Sequence, residues 1–303
     1  MVAITMWLLL SLLSALFLGM YDVAKKGAVN SNAVFPVLFF STLSAVVCAL
    51  PAVVLSEVNP LLAHKIHLYV PRMTFSVHLL IIVKSVTVGT SWVLSYFGLK
   101  NLPITVASPL RATAPFFTVL GAITLFGERP SVNQWIGIIL ILAAYVLYSK
   151  SSRHDDKNSA QIIWIVFMIL AAVTGAISSG FDKYLLQLKA IPPLFVLFWF
   201  LFYLSIIYGT IVLIFWYPKR LATTPFRFRP AIFFVGALLV LADMVYMTAL
   251  SDPQAKLALV SSIRRTNVLI SFIGGFLLFR EGNIRGKLLP FTGIVAGLVL
   301  IMM

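Results

Sequence analysis

Ten stretches of roughly 20 predominantly apolar residues follow one another along the chain, parted by short polar or basic turns. A helix of that length rises about 30 Å, the thickness of a bilayer's hydrocarbon core. No water there can satisfy backbone N–H and C=O groups, so a crossing segment must bond them internally. Each run is therefore predicted as a transmembrane helix, over 4–24, 34–55, 75–98, 104–126, 134–149, 162–181, 194–216, 231–250, 257–279 and 287–303. A soluble helical protein would instead carry a polar stripe along each helix. Composition agrees: 61% of residues are hydrophobic and 11% charged, more apolar surface than a soluble domain can hide. The expected fold class is all-α integral membrane, with ten transmembrane helices.

The first run lacks a basic leader and continues through GMYD (19–22) without a small-x-small cleavage pattern, so it reads as a retained helix rather than a signal peptide. The net charge of +14 is concentrated in the turns between runs, where it suits anionic lipid headgroups and topology control. No zinc-finger, RNA-binding or basic-helix pattern is present, so nucleic acid is not an expected partner. The lone cysteine, Cys48, permits no internal disulfide. Alternate turns carry 13 and six Lys or Arg residues, which places the richer set, and neither terminus, in the cytoplasm.

The polar segment SKSSRHDDKNSAQ (149–161) divides the chain into a first five-helix repeat (1–150), a linker (151–161) and a second five-helix repeat (162–303). Landmarks recur in the same order on both sides. The segment 103–128 carries Arg111 inside an apolar run and ends at Gly127-Glu128; 254–281 carries Arg264 and ends at Arg280-Glu281, with the same spacing of 17 from arginine to glutamate. GMYD (19–22) matches GFD (180–182), and Tyr96, Leu99 and Pro103 match Tyr246, Leu250 and Pro253. Gly137 and Gly293 open similar stretches in the fifth and tenth runs. Five helices per repeat put the second repeat into the membrane from the opposite side, an inverted architecture common in secondary transporters.

These features resemble the drug/metabolite transporter superfamily in its EamA-like branch. The resemblance rests on the five-plus-five inverted plan, the glutamates ending the fourth and ninth runs, the Gly-rich closing helix, and above all LFGERPSVNQWIGIILILAAYVL (125–147). It implies a transporter of amino acids, other metabolites or drugs. It assigns no role to the intramembrane arginines.

Those charges are candidates on physical grounds, because ionisable groups at membrane depth are costly. Arg111 and Arg264 offer planar donor forks for a carboxylate or phosphate; the alternative is structural pairing, Arg111 with Asp22 and Arg264 with Asp182 or Asp243. Arg265 points about 100° away from Arg264 and does a different job. Lys84, near the middle of the third run, either lines a cavity, or snorkels along its helix or pairs with an aspartate of another span. Asp22, Asp182 and Asp243 are coupling or ion-pair candidates. Tyr21, Trp92, Tyr96 and Tyr246 stand near these charges and can pack on an organic substrate or on neighbouring helices. Pro109 and Pro115 bracket Arg111, kinking its helix or freeing carbonyls there. Glu128 and Glu281 read as structural caps.

No Walker sequence or Gly-x-Ser-x-Gly elbow occurs, and no cofactor or metal is called for. His64 and His67, and His154-Asp155-Asp156, read as solvated loop residues. The expectation is a non-enzymatic secondary transporter in a bacterial cell membrane, monomer or homodimer, moving a small polar metabolite with an anionic group. A hydrophobic drug or amine exporter is the alternative within that class; a lipid scramblase or an integral-membrane enzyme lies outside it.

Overall fold

The computed structural model describes residues 6–29, 32–101, 114–150, 162–267, 269–270, 273 and 285–302, and among these no strand occurs. The helices are α1 (Met6–Val29), α2 (Val34–Val58), the short α3 (Pro60–Lys65), α4 (Phe75–Asn101), α5 (Ala114–Phe126), α6 (Val132–Lys150), α7 (Ile162–Lys183), α8 (Pro193–Ile211), α9 (Pro230–Ser251), α10 (Leu257–Arg264) and α11 (Arg285–Met302). Among the described residues, six segments are long and apolar enough to cross a membrane: Met6–Val29, Val34–Val58, Phe75–Ser95, Ile162–Leu188, Pro193–Lys219 and Pro230–Ser251. The protein is an integral, multi-pass membrane protein. The expected fourth and ninth spans fall partly outside the described residues, while the fifth and tenth appear as α6 and α11, with shorter apolar stretches at Val132–Ala144 and Thr292–Ile301.

Local chemistry sets the boundaries. Pro193 and Pro230 start α8 and α9, where a missing N–H costs nothing. Asn59 caps α3, its Oδ1 accepting from the Leu62 N–H at 3.0 Å. Gly127 ends α5 in the left-handed region (φ 62°), where a side chain would be strained. Hydroxyls inside the apolar helices bond to carbonyls one turn back, as Ser11 to Trp7 (2.7 Å), Ser56 to Ala52 (2.7 Å) and Ser85 to Ile81 (2.8 Å).

Three expected spans depart from simple helices. Beyond Lys183 the sixth widens into a π turn at Tyr184–Leu188, and the seventh does so at Val212–Trp216. The ninth breaks after Arg264, where the Thr266 N–H bonds to Ile263 O (2.9 Å) and the Leu269 N–H to Thr266 O (2.9 Å), a tighter three-residue spacing.

In packing, α1 lies against α9 and α4 against α7, while α2 contacts both α8 and α9. Both of the first two interfaces are tied by a serine donating to a backbone carbonyl across the gap: Ser14 to Ala242 (2.8 Å) and Ser91 to Ala171 (2.7 Å). Helix α8 is largely buried, with Phe195, Val196, Leu197, Leu201, Leu204 and Tyr208 all inside. Helices α6 and α11 pack mainly on each other, at backbone contact: a Cβ on Gly137 would lie 2.6 Å from Gly297 O, and one on Gly297 would lie 2.8 Å from Gly137 O.

Candidate functional site

Lys84 sits midway along α4, and its side chain is 2% exposed. A lysine buried this deeply in an apolar helix needs a counter-charge. Asp182, near the end of α7, supplies it: Lys84 Nζ lies 2.8 Å from Asp182 Oδ1 and 4.1 Å from the centroid of the Phe200 ring. Both the pairing and the burial follow from the packing of α4 on α7 and α8.

A second pair lies alongside. Arg264, the last residue of α10, pairs with Asp243 of α9, and its guanidinium lies 4.2 Å over the Tyr246 ring. Asp243 and Tyr246 are three positions apart on one helix and so share a face. Asp182 lies near enough to feel both Asp243 and Arg264 electrostatically. The four charged groups therefore form one formally neutral cluster at the junction of α4, α7, α9 and α10. One donor is left over: Arg264 Nε is buried without a hydrogen-bond partner among the described residues. Asp182 Oδ1, though close to Lys84, also lacks a well-directed hydrogen bond.

The break after Arg264 carries a third contact. Asn267 Nδ2 donates to Asp22 Oδ2 of α1 at 2.7 Å. Beside Asp22, Tyr21 lines a small pocket with Lys25, Ser41, Thr42, Trp92 and Leu239, between α1, α2, α4 and α9. Trp92 in turn stacks on Tyr208 of α8 with ring centroids 6.4 Å apart.

The sequence candidates thus fall into two neighbouring groups. Lys84, Asp182, Asp243, Arg264 and Tyr246 gather in the charged cluster; Tyr21 and Trp92 face the small pocket, with Asp22 next to it. Of the pairings left open for Arg264, the structure has Asp243. Lys84 takes the aspartate of another span. Arg111, Pro109 and Glu281 lie outside the described residues, as do the side chains of Tyr96 and Pro115. His64, exposed near the end of α3, stacks on Tyr69, with ring centroids 3.8 Å apart.

Glu128 behaves as a cap, with more partners than a surface cap has. Left-handed Gly127 turns the chain so that the Glu128 carboxylate reaches the start of α10, accepting from the Leu257 N–H and, at 2.9 Å, from the Ala258 N–H. It also accepts from Lys183 Nζ at 2.6 Å, and both side chains are buried. Lys183, expected in a water-facing turn, is instead the inward neighbour of Asp182. Around this hub Lys256 Nζ donates to Arg129 O (2.8 Å), and Gln187 Nε2 to the carbonyls of Leu250, Asp252 and Ala255 (2.8, 2.8 and 2.9 Å). The ends of α5, α7 and α9 and the start of α10 are thereby tied together. Asn267, Phe200 and Lys183 are site neighbours that sequence reasoning did not single out. The only signal for them is position: Asn267 lies three residues after Arg264, and Lys183 one after Asp182.

Residues 5–150 match the EamA-like transporter family. An "uncharacterized transporter" of Archaeoglobus fulgidus is 30% identical over 87 residues, a match spanning 28% of this chain and 29% of that protein. A solved structure, described only as a crystal structure of a protein, superposes with a TM-score of 0.72 over 98% of this chain and 96% of its own at 14% identity, a likeness of fold. Over residues 5–150, just under half of its length, the chain is similar to the EamA-like transporter family.

Proposed function

We propose that the protein is a secondary transporter that carries a small polar metabolite with an anionic group, and that the cluster of Lys84, Asp182, Asp243, Arg264 and Tyr246 receives it. The observation that carries this reading is the unused Arg264 Nε donor, buried inside a charged cluster between helices of both halves. Burying charge at this depth for packing alone is a poor bargain, since buried ion pairs are often no more stabilising than apolar side chains of similar volume. An arginine held by one carboxylate and an aromatic face, with a fork edge open, suits a second carboxylate.

Charge balance narrows the cargo. The cluster is neutral before any cargo arrives. A zwitterionic amino acid adds no net charge and can exchange partners with both pairs. A purely anionic acid brings uncompensated charge and so has to enter with a proton or a cation. Asp22, held by Asn267 at the break of the ninth span, is the carboxylate placed to take it.

The inverted repeat supplies the motion. Exchanging the two halves would convert the α1–α9 interface into α7–α4; both are present, each with a serine-to-carbonyl tie, but the donor is on α1 in one and on α4 rather than α7 in the other. The α2–α8 and α6–α11 pairs map onto themselves. In alternating access, the hub at Glu128, Lys183 and α10 is the closed end, and it opens when the halves rock. The amine or drug alternative draws on the aromatic walls of Tyr21 and Trp92, but Lys25 in the same pocket repels a cationic ligand.

The test is a thermal-shift screen of the purified protein against amino acids and organic acids, since a ligand that binds only the folded state raises its apparent stability. A hit is expected among the amino acids and is lost in Arg264→Gln. Stabilisation only by hydrophobic amines, retained in Arg264→Gln, would reverse the assignment.

A further inference from the structure

The joint between α8 and α9 is built unlike the other described turns. The π turn at Val212–Trp216 and a 3₁₀ turn at Tyr217–Lys219 lead into an exposed segment that runs to Arg229. It carries Lys219, Arg220, Arg227 and Arg229, and no carboxylate occurs anywhere in 183–242 or in 23–56, the stretches that form this corner. The nearest acid along α1, Asp22, is turned to Asn267.

This segment is held in place. Asn32, at the α1–α2 turn, accepts from the Arg227 N–H at 2.8 Å and donates to Arg227 O at 2.7 Å. Arg229 Nη1 donates to Gly27 O at 2.8 Å. Phe226 stacks on Phe40 of α2, with centroids 5.1 Å apart and planes 14° apart. These anchors hold backbone and rings. The side chains of Lys219 and Arg227 make no hydrogen bond or ion pair among the described residues and stand exposed. Beside them stand exposed apolar groups: Leu221 (95%), Phe228 (66%) and Phe215 (63%).

We infer that this corner seats the headgroup of an anionic phospholipid. It lies at the end of two helices long and apolar enough to cross a membrane, where a lipid headgroup would stand. Its cations suit a phosphodiester, and its apolar neighbours suit the top of an acyl chain. A freely solvated basic loop would need neither the Asn32 clamp nor the exposed Leu221 and Phe228. Lipid held here would brace the α1–α2 and α8–α9 turns together.

The test uses the full chain in a neutral detergent, titrated with dioleoyl phosphatidylglycerol, with dioleoyl phosphatidylcholine, or with inorganic phosphate, and read by thermal unfolding. Phosphatidylglycerol is expected to stabilise the wild type selectively. Lys219→Gln/Arg220→Gln/Arg227→Gln is expected to raise the lipid concentration required by about 100-fold, at roughly fivefold per cation. All three side chains are exposed, so the fold is retained; if the triple variant does not fold, the wild type in 1 M NaCl replaces it, where headgroup attraction is screened within about 3 Å. Equal stabilisation by phosphatidylcholine, an undiminished lipid effect in the variant or in high salt, or the same stabilisation by inorganic phosphate would each overturn the lipid assignment.

Discussion

At the scale of single residues, the charged cluster makes a prediction that separates charge from packing. Lys84→Met leaves Asp182 buried without its partner, and the expected loss is about 3–5 kcal/mol, read by denaturation in detergent. Adding Asp182→Leu should restore most of it, because both charges are then gone and both volumes filled. A double variant no more stable than the single would mean that the pair is not the unit. Glu128→Ala strands the Lys183 ammonium and uncaps α10, with an expected cost of about 3 kcal/mol or more. The candidate charges were legible in sequence because an ionisable residue stands out in an apolar run. Their partners were less so: Arg264 had two aspartates at suitable depth, and only the packing of α9 on α10 selects Asp243. Lys183 lies past the expected end of the sixth span at 181 and so counts with the turn. The helix instead runs on to Lys183, which is buried against Glu128.

Among the elements, the apolar runs foretold the long helices well, since run length alone reports a crossing. The irregular stretches were not foretold. Nothing in VLIFW (212–216) or YLLQL (184–188) marks a π turn, and the break after Arg264 is not signalled by a glycine or proline. At 184–188 the side chain of Gln187 reaches three carbonyls of the α9–α10 corner, a tertiary contact that a local reading cannot see. The α6–α11 pair is the opposite case, with its glycines visible and its geometry following from them. Gly297→Ala places a methyl 2.8 Å from Gly137 O and 2.7 Å from Ile141 Cγ1. The expected cost is about 1–3 kcal/mol, seen as a lowered unfolding midpoint. An unchanged midpoint would show that the two helices part easily.

Over the whole molecule, the order of landmarks suggests two halves of opposite orientation, a plan under which the α1–α9 and α4–α7 interfaces would be counterparts. The substrate was not legible, because neutral pairs of lysine, arginine and aspartate fit several polar cargoes. Orientation follows from the basic turns: a reporter fused at Met303 that is active only in the cytoplasm should be silent, and activity would invert the assignment. The central claim is that the buried cluster holds cargo rather than merely joining helices. The direct measurement is uptake into proteoliposomes, with ligand-induced thermal shift, for Asp243→Asn/Arg264→Gln, which removes both charges and stays neutral. The account predicts a folded protein with an unfolding midpoint near that of the wild type and with amino-acid transport and thermal shift both abolished. Wild-type transport by that folded variant would contradict it.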